Sequence, residues 1–221
     1  MRITVLEFGS LLAYVPRVAS DKMQQAKNVM FAIKSDSFLE QRREQPIPMS
    51  QWIAKAVQRE MSTLPFISLF QPDTILVPVP SSSLMQPGSL WVPDRIASAL
   101  AKAGVGREAV RYLTRVKPLR KAAFSEPSER PTPVEQFETL AVQRRMSDTP
   151  PDQITLIDDI VTRGHTLMGA ANRLAEVFPD ARVSGFAAMR TVSPSDFESV
   201  YDPESGIIRY RDQTNDTIRR P

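Results

Sequence analysis

"ITLIDDIVTRGHTLMGA", residues 154–170, decides the fold. A strand-like run from Ile154 to Ile157 leads into two adjacent carboxylates, Asp158 and Asp159. Ile160 and Val161 follow, then Thr162, Arg163, Gly164, His165 and Thr166, then a stretch with helical spacing. Such a strand–turn–helix joint gathers unpaired backbone N–H groups and the positive end of a helix dipole around the turn, which suits an anion. Carboxylates beside that turn repel a bare anion but accept hydrogen bonds well from hydroxyls. A phosphate on one side and vicinal hydroxyls on the other describe a ribose 5-phosphate, with Mg²⁺ to moderate the charge.

Working outward, apolar periodicity predicts alternating strands and helices. A short strand is expected near Ile3–Phe8. A helix over Asp21–Glu40, capped by Ser20, carries Met23, Ala26, Met30 and Ile33 on one face. A second helix starts near Ser50, buries Ile53, Val57, Met61 and Leu64, and ends at Pro65. Ile75–Val79 reads as a strand closing on Pro80, Ser81, Ser82 and Ser83, and a helix runs from Pro93 to Gly104. "EAVRYLTRV", residues 108–116, reads as one strand. The helix from Thr166 to Phe178 buries Leu167, Ala170, Leu174 and Phe178; a strand follows at Val183–Met189, and the tail after Tyr201 is a weak hairpin or a disordered end.

The alternation implies an α/β fold, a mainly parallel twisted sheet flanked by helices. Ligands of such sheets bind beyond the carboxyl ends of the strands, where both the Asp158 loop and the Pro80 loop lie. Three segments are expected: a helical hood over 1–65, a core over 66–200, and a tail or hairpin over 201–221. The proline-rich segment 117–135 has the length of a functional lid loop.

Composition excludes several chemistries. The 221 residues contain no cysteine and one histidine, which rules out thiol catalysis, disulfides and multi-histidine metal sites. The net charge of +3 argues for no particular partner. No stretch approaches the ~20 apolar residues of a membrane span, and the N-terminus lacks a signal-peptide profile, so a cytoplasmic protein with no membrane partner is expected.

"ITLIDDIVTRGHTL" resembles the phosphoribosyl-pyrophosphate (PRPP) signature of type I phosphoribosyltransferases: an apolar strand, two acids, two apolar residues, then Thr-x-Gly-x-Thr. "DTILVPVPSSS" is similar to the pyrophosphate-loop region of that family's competence-associated ComF-like group. "MQQAKNVMFAIK" and "LTRVKPLRKAAFSEPSERP" resemble that group's early helix and flexible loop. The resemblance implies a phosphoribosyltransferase fold and transfer of the 5-phosphoribosyl group from Mg-PRPP to a base or amine acceptor. It implies that Asp158 and Asp159 hold the ribose hydroxyls and carry catalysis, and that Thr162, Arg163, Gly164, His165 and Thr166 hold the 5-phosphate. Pro80, Ser81, Ser82, Arg115 and Lys117 fall on the pyrophosphate side, with Arg120 and Lys121 on the lid.

The chain departs from the ComF-like pattern in three ways. It has no N-terminal cysteine zinc module, it has serines where basic residues usually follow "VPVP", and Arg163 replaces the commoner Thr. Thr162 stands where 6-oxopurine enzymes carry an acid, which argues against hypoxanthine or guanine. Other readings of the motifs are weaker. A receiver domain needs its Asp pair on the first strand, and the phosphatase pattern needs an acid where Ile160 stands. Gly104-Val-Gly106 follows a helix, so it reads as a helix cap and not as a dinucleotide loop. Trp52 and Trp91 read as packing residues. The side chain of His165 either serves as a base or points outward while the backbone binds. A non-enzymatic PRPP or nucleotide sensor, or a single-stranded nucleic acid partner using Lys117, Arg120 and Lys121, is the alternative function. A homodimer is left open.

Overall fold

The computed structural model describes residues 1–38, 46–86, 88–119, 130–144 and 149–221. In chain order these form β1 (Val5–Tyr14), α1 (Asp21–Ser35), α2 (Met49–Arg59), β2 (Ile75–Pro78), α3 (Val92–Lys102), β3 (Glu108–Ala109) and β4 (Leu113–Arg115). They continue with α4 (Pro133–Glu138), β5 (Leu140–Val142), β6 (Gln153–Val161), α5 (His165–Val177), β7 (Arg182–Thr191), β8 (Tyr201–Arg211) and β9 (Asp216–Arg220).

Seven strands make one sheet in the order β3-β2-β6-β7-β1-β8-β9, and β4 pairs with β5 apart from it. From β3 to β1 every pairing is parallel, while β8 and β9 add as antiparallel strands at one edge. The mainly parallel α/β sheet expected from the alternation is therefore what the chain forms. The sheet draws strands from all three stretches 1–65, 66–200 and 201–221.

Each face of the sheet has its own core. On one, Ile33 of α1, Ile53 and Val57 of α2 and Ile96 and Leu100 of α3 pack with Ile157 and Phe186. Phe66, Phe70 and Phe186 meet there at centroid distances of 5.2 to 6.4 Å. On the other, Leu167, Leu174 and Phe178 cover Leu6, Phe8, Ile154 and Leu156. Two-sided burial explains why the β6 sequence is nearly continuous in apolar residues up to Asp158.

Several boundaries differ from the sequence reading. β1 runs on to Tyr14, because Gly9 lets the strand pass against Phe66, where a Cβ would lie 2.5 Å from that ring's Cγ. Ser20 caps α1 through the Met23 N–H, but the helix stops at Ser35, and residues 39–40 lie outside the described residues. Asp36 turns left-handed there (φ 47°), and its carboxylate accepts from Ser50 N at 2.8 Å and from Arg95 at 3.0 Å. α2 ends at Arg59, short of Pro65.

Residues 108–116 are two strands in two sheets. The chain turns at Arg111, which grips both Asp94 oxygens at 2.7 Å, while Tyr112 packs on Phe178 at 5.0 Å. Residues 201–221 are no disordered end. They form a hairpin that pairs with β1 through β8 and buries Ile208 completely.

Candidate functional site

β6 carries Asp158 and Asp159 to the carboxyl edge of the sheet, between β2 and β7. Successive strand residues face opposite sides, and here the two carboxylates part. Asp158 looks toward α4 and α5, where it lines a cavity of about 60 Å³ with Arg130, Gln136, Thr162, Gly164 and Thr166. Asp159 looks toward α1, where its Oδ2 takes the Lys34 ammonium at 3.0 Å. Asp158 Oδ1 also accepts the Asp159 N–H at 2.9 Å, and Asp159 Oδ1 accepts the Ile160 N–H at 2.7 Å.

The electrostatics follow from that arrangement. Burial pushes the Asp158 carboxyl well above its ordinary range, and the Asp159 charge pushes the same way; the Asp159 N–H and Lys34 oppose them. Burial works against the Lys34 charge, but Asp159, Asp158 and Tyr14 outweigh it and hold the ammonium's pKa up. Tyr14, at the end of β1, is raised by burial and by Asp159 against the pull of Lys34 and Arg130. Tyr14, Lys34 and Arg130 thus surround the carboxylates, and nothing in their local sequence signals it.

The turn after β6 is held from outside. Gly164 caps α5 with φ 92°, a left-handed conformation, and a Cβ there would lie 2.6 Å from Ile208 Cδ1. Thr217 donates its hydroxyl to Arg163 O at 2.8 Å. The His165 ring is held between two acceptors: Nδ1 lies 2.8 Å from Pro131 O and Nε2 lies 2.6 Å from Asp216 Oδ1. Asp216 also accepts the Thr217 N–H at 2.8 Å and lies 3.5 Å from Arg163. Burial alone raises the Asp216 carboxyl; the bonds from His165 and Thr217 and the His165 and Arg163 charges outweigh it and leave it below its ordinary value. The backbone N–H groups of the first turn of α5 have no intrahelical acceptor, and residues Gly164, His165, Thr166 and Leu167 line the cavity. Thr162 and Arg163 are exposed, and Thr166 is half-buried.

β2 runs parallel beside β6, so the Pro80–Ser82 loop lies next to Asp158, and Val79 N extends the ladder to Ile157 O at 2.9 Å. Arg115, only 4% exposed, organises this loop. Its guanidinium donates to Ser81 O at 2.9 Å, Thr139 Oγ1 at 2.6 Å, Gln136 Oε1 at 3.0 Å and Pro80 O at 3.4 Å. Burial pulls its pKa down to about 10, and the Asp158 charge opposes that. Arg115 therefore stands inside the protein with its donors committed to protein oxygens. Trp91 donates to Val79 O at 2.8 Å and carries Arg111 over its ring, as a packing residue does. Lys117 is exposed; Arg120 and Lys121 lie outside the described residues.

The structure thus gathers Asp158, Thr162, Gly164, His165 and Thr166 at one cavity, sets Pro80 and Ser81 beside it through Arg115, and turns Asp159 to the opposite face. Asp216 and Thr217 of the C-terminal hairpin also contact this turn, and nothing in the sequence singled them out. The turn-forming "DQTND" between "GIIRYR" and "TIRR" was the available signal for the hairpin, though not for its contact with the loop.

Among the described residues no group of three or more His, Cys, Asp or Glu side chains could hold a metal ion. Among them too, no helix is long and apolar enough to cross a membrane.

No family model matches the chain, and no curated protein matches it. Among solved structures it is similar to a hypoxanthine phosphoribosyltransferase from Staphylococcus aureus, in tetragonal and orthorhombic crystal forms. Each comparison has 12% identity and a TM-score of 0.32, covering 69% of this chain and 70% of the other. At those values nothing about activity passes from that protein to this chain.

Proposed function

We propose that the chain is a phosphoribosyltransferase of type I fold and ComF-like character. It takes Mg-PRPP as donor and passes the 5-phosphoribosyl group to a nitrogenous acceptor, with release of pyrophosphate. The observation that carries this reading is the pairing of the Asp158 carboxylate with the left-handed Gly164 turn around a single small cavity.

The first-turn N–H groups of α5 and the Thr162 and Thr166 hydroxyls hold the 5-phosphate. Asp158 accepts from a ribose hydroxyl on the cavity side. Asp159 reaches the sugar by exchanging its Lys34 partner for a hydroxyl. Cleavage of the C1–oxygen bond builds positive charge on the ribose ring, which the Asp158 carboxylate beside the cavity stabilises. Among the described residues the donor set does not suit a resident metal: no three acidic or histidine side chains group around Asp158, and Asp159 is paired with Lys34. Mg²⁺ therefore belongs to the substrate, held by pyrophosphate oxygens and water, as this ion usually is.

A second reading, a PRPP or nucleotide sensor without turnover, is favoured by Arg115. Its buried guanidinium is occupied by the Pro80–Ser81 carbonyls, and the loop itself offers serines. Pyrophosphate release from PRPP, assayed with a panel of bases and amines, separates the two. Release that depends on an acceptor and is lost in Asp158→Asn supports the enzyme. Tight PRPP binding with no release supports the sensor.

A further inference from the structure

The sole histidine of the chain joins three segments that are remote in sequence. His165 opens α5 beside the proposed phosphate turn, its Nδ1 meets the carbonyl of Pro131 ahead of α4, and its Nε2 meets Asp216 of β9. Both partners are acceptors, since a carbonyl oxygen and a carboxylate have no proton to give. A neutral imidazole has one N–H, so it satisfies one contact and turns a lone pair on the other. An imidazolium satisfies both. Among the described residues, the other charged groups near the ring are Arg163 on the turn, with Arg130 and Asp158 at the shared cavity. Arg163 is also 3.5 Å from Asp216, so that carboxylate is the anionic pivot of the cluster.

We infer that Asp216 is a positioning residue for the anion-binding turn, acting through His165, and that it holds the turn fully only while His165 is an imidazolium. Thr217 on the Arg163 carbonyl and Ile208 against Gly164 brace the same turn from the same hairpin. Protonation adds a positive charge beside the turn and completes the bond to Pro131. Loss of the proton removes both. The ligand affinity of the turn therefore depends on pH, and the interval to survey is about pH 5 to 8, where histidine side chains in general change charge. This inference rests on the reading of residues 162–166 as a phosphate site.

The test uses the full chain and ribose 5-phosphate as probe, with affinity measured by calorimetry across that pH interval for wild type, Asp216→Asn and Asp216→Ala. The probe's own phosphate titrates in the same interval, so the ratio of variant to wild-type affinity is the quantity compared. In Asp216→Asn the amide can donate to a neutral Nε2 while Nδ1–H still serves Pro131. That variant is expected to match or exceed wild type at the alkaline end and fall behind at the acidic end, by on the order of ten-fold. Asp216→Ala is expected to bind more weakly at the acidic end without the alkaline gain. A ratio independent of pH in Asp216→Asn overturns the inference.

A second readout needs no ligand. Because the chain has one histidine, its imidazole nitrogen signals are unambiguous in NMR. Two slowly exchanging ring N–H protons at acidic pH, and a titration midpoint that moves in Asp216→Asn, support the clamp. A midpoint identical in both proteins contradicts it, even if ribose 5-phosphate binds. Failure of wild type to bind the probe, alongside a shifted midpoint, removes the phosphate site and with it the role assigned to the clamp.

Discussion

Asp158 and Asp159 are adjacent on β6 yet face opposite sides of the sheet: Asp159 holds Lys34 at 3.0 Å on one face, and Asp158 shares a small cavity with the Gly164 turn on the other. The two acids are therefore not interchangeable, and their substitutions separate stability from binding.

Asp158→Asn removes a carboxylate that burial and a neighbouring charge disfavour. It is expected to raise the midpoint of thermal unfolding by roughly 2–4 °C, the shift that ~1 kcal/mol gives in a chain of this length, while abolishing ribose 5-phosphate binding. Asp159→Asn is expected to leave stability within about 1 kcal/mol, since Lys34 is half exposed and such pairs contribute little. Calorimetry with and without ligand measures both.

Gly164→Ala forces a side chain into a left-handed backbone and against Ile208. It is expected to cost about 1–3 kcal/mol from the backbone alone. Combining it with Ile208→Val, which lacks the Cδ1 atom nearest the new Cβ, is expected to recover part of the loss. A double-mutant cycle in urea reads the coupling.

Arg115→Lys keeps a charge but cannot reach the Pro80, Ser81, Thr139 and Gln136 oxygens with one planar fork. Removal of the guanidinium in Arg115→Ala leaves those buried acceptors without their donor. It is expected to cost about 1–3 kcal/mol by denaturant unfolding, with Lys rescuing little of it.

Acid stability has two opposing contributions. The Asp216 pKa is lowered by folding, so its stabilisation is present above the ordinary carboxylate range and is lost as pH falls through the depressed value. The Asp158 pKa is raised, so its penalty grows as pH rises through the ordinary carboxylate range up to the elevated value, and disappears on acidification. Unfolding midpoints against pH are expected to flatten on the acid side in Asp216→Asn. In Asp158→Asn the gain over wild type is expected to vanish at low pH.

What the sequence revealed and what it hid divide along range. The β6–turn–α5 joint was legible because its signals are local: apolar residues up to Ile157, a glycine at the one left-handed position, and helical spacing from Leu167 to Leu174. Lys34 was not, because the helix periodicity that placed Ile33 says nothing about a partner 125 residues away. Arg115 was expected on the pyrophosphate side, and that it is buried with its donors on protein oxygens was hidden, since burial of an arginine depends on the acceptors that tertiary structure brings to it. The C-terminal hairpin has charged, turn-rich composition that resembles a loose end, and only its register against β1 shows that Ile208 and Thr217 support the turn.

Thermal unfolding in the presence of PRPP with Mg²⁺, compared with ribose 5-phosphate, pyrophosphate and AMP, tests the central claim most directly. A ligand at about 100 times its dissociation constant adds ~2.7 kcal/mol of stability. A marked rise with PRPP, a smaller one with ribose 5-phosphate, and loss of both in Asp158→Asn is the predicted result. No rise with any phosphorylated ribose, in a wild-type protein that unfolds cooperatively, contradicts the account.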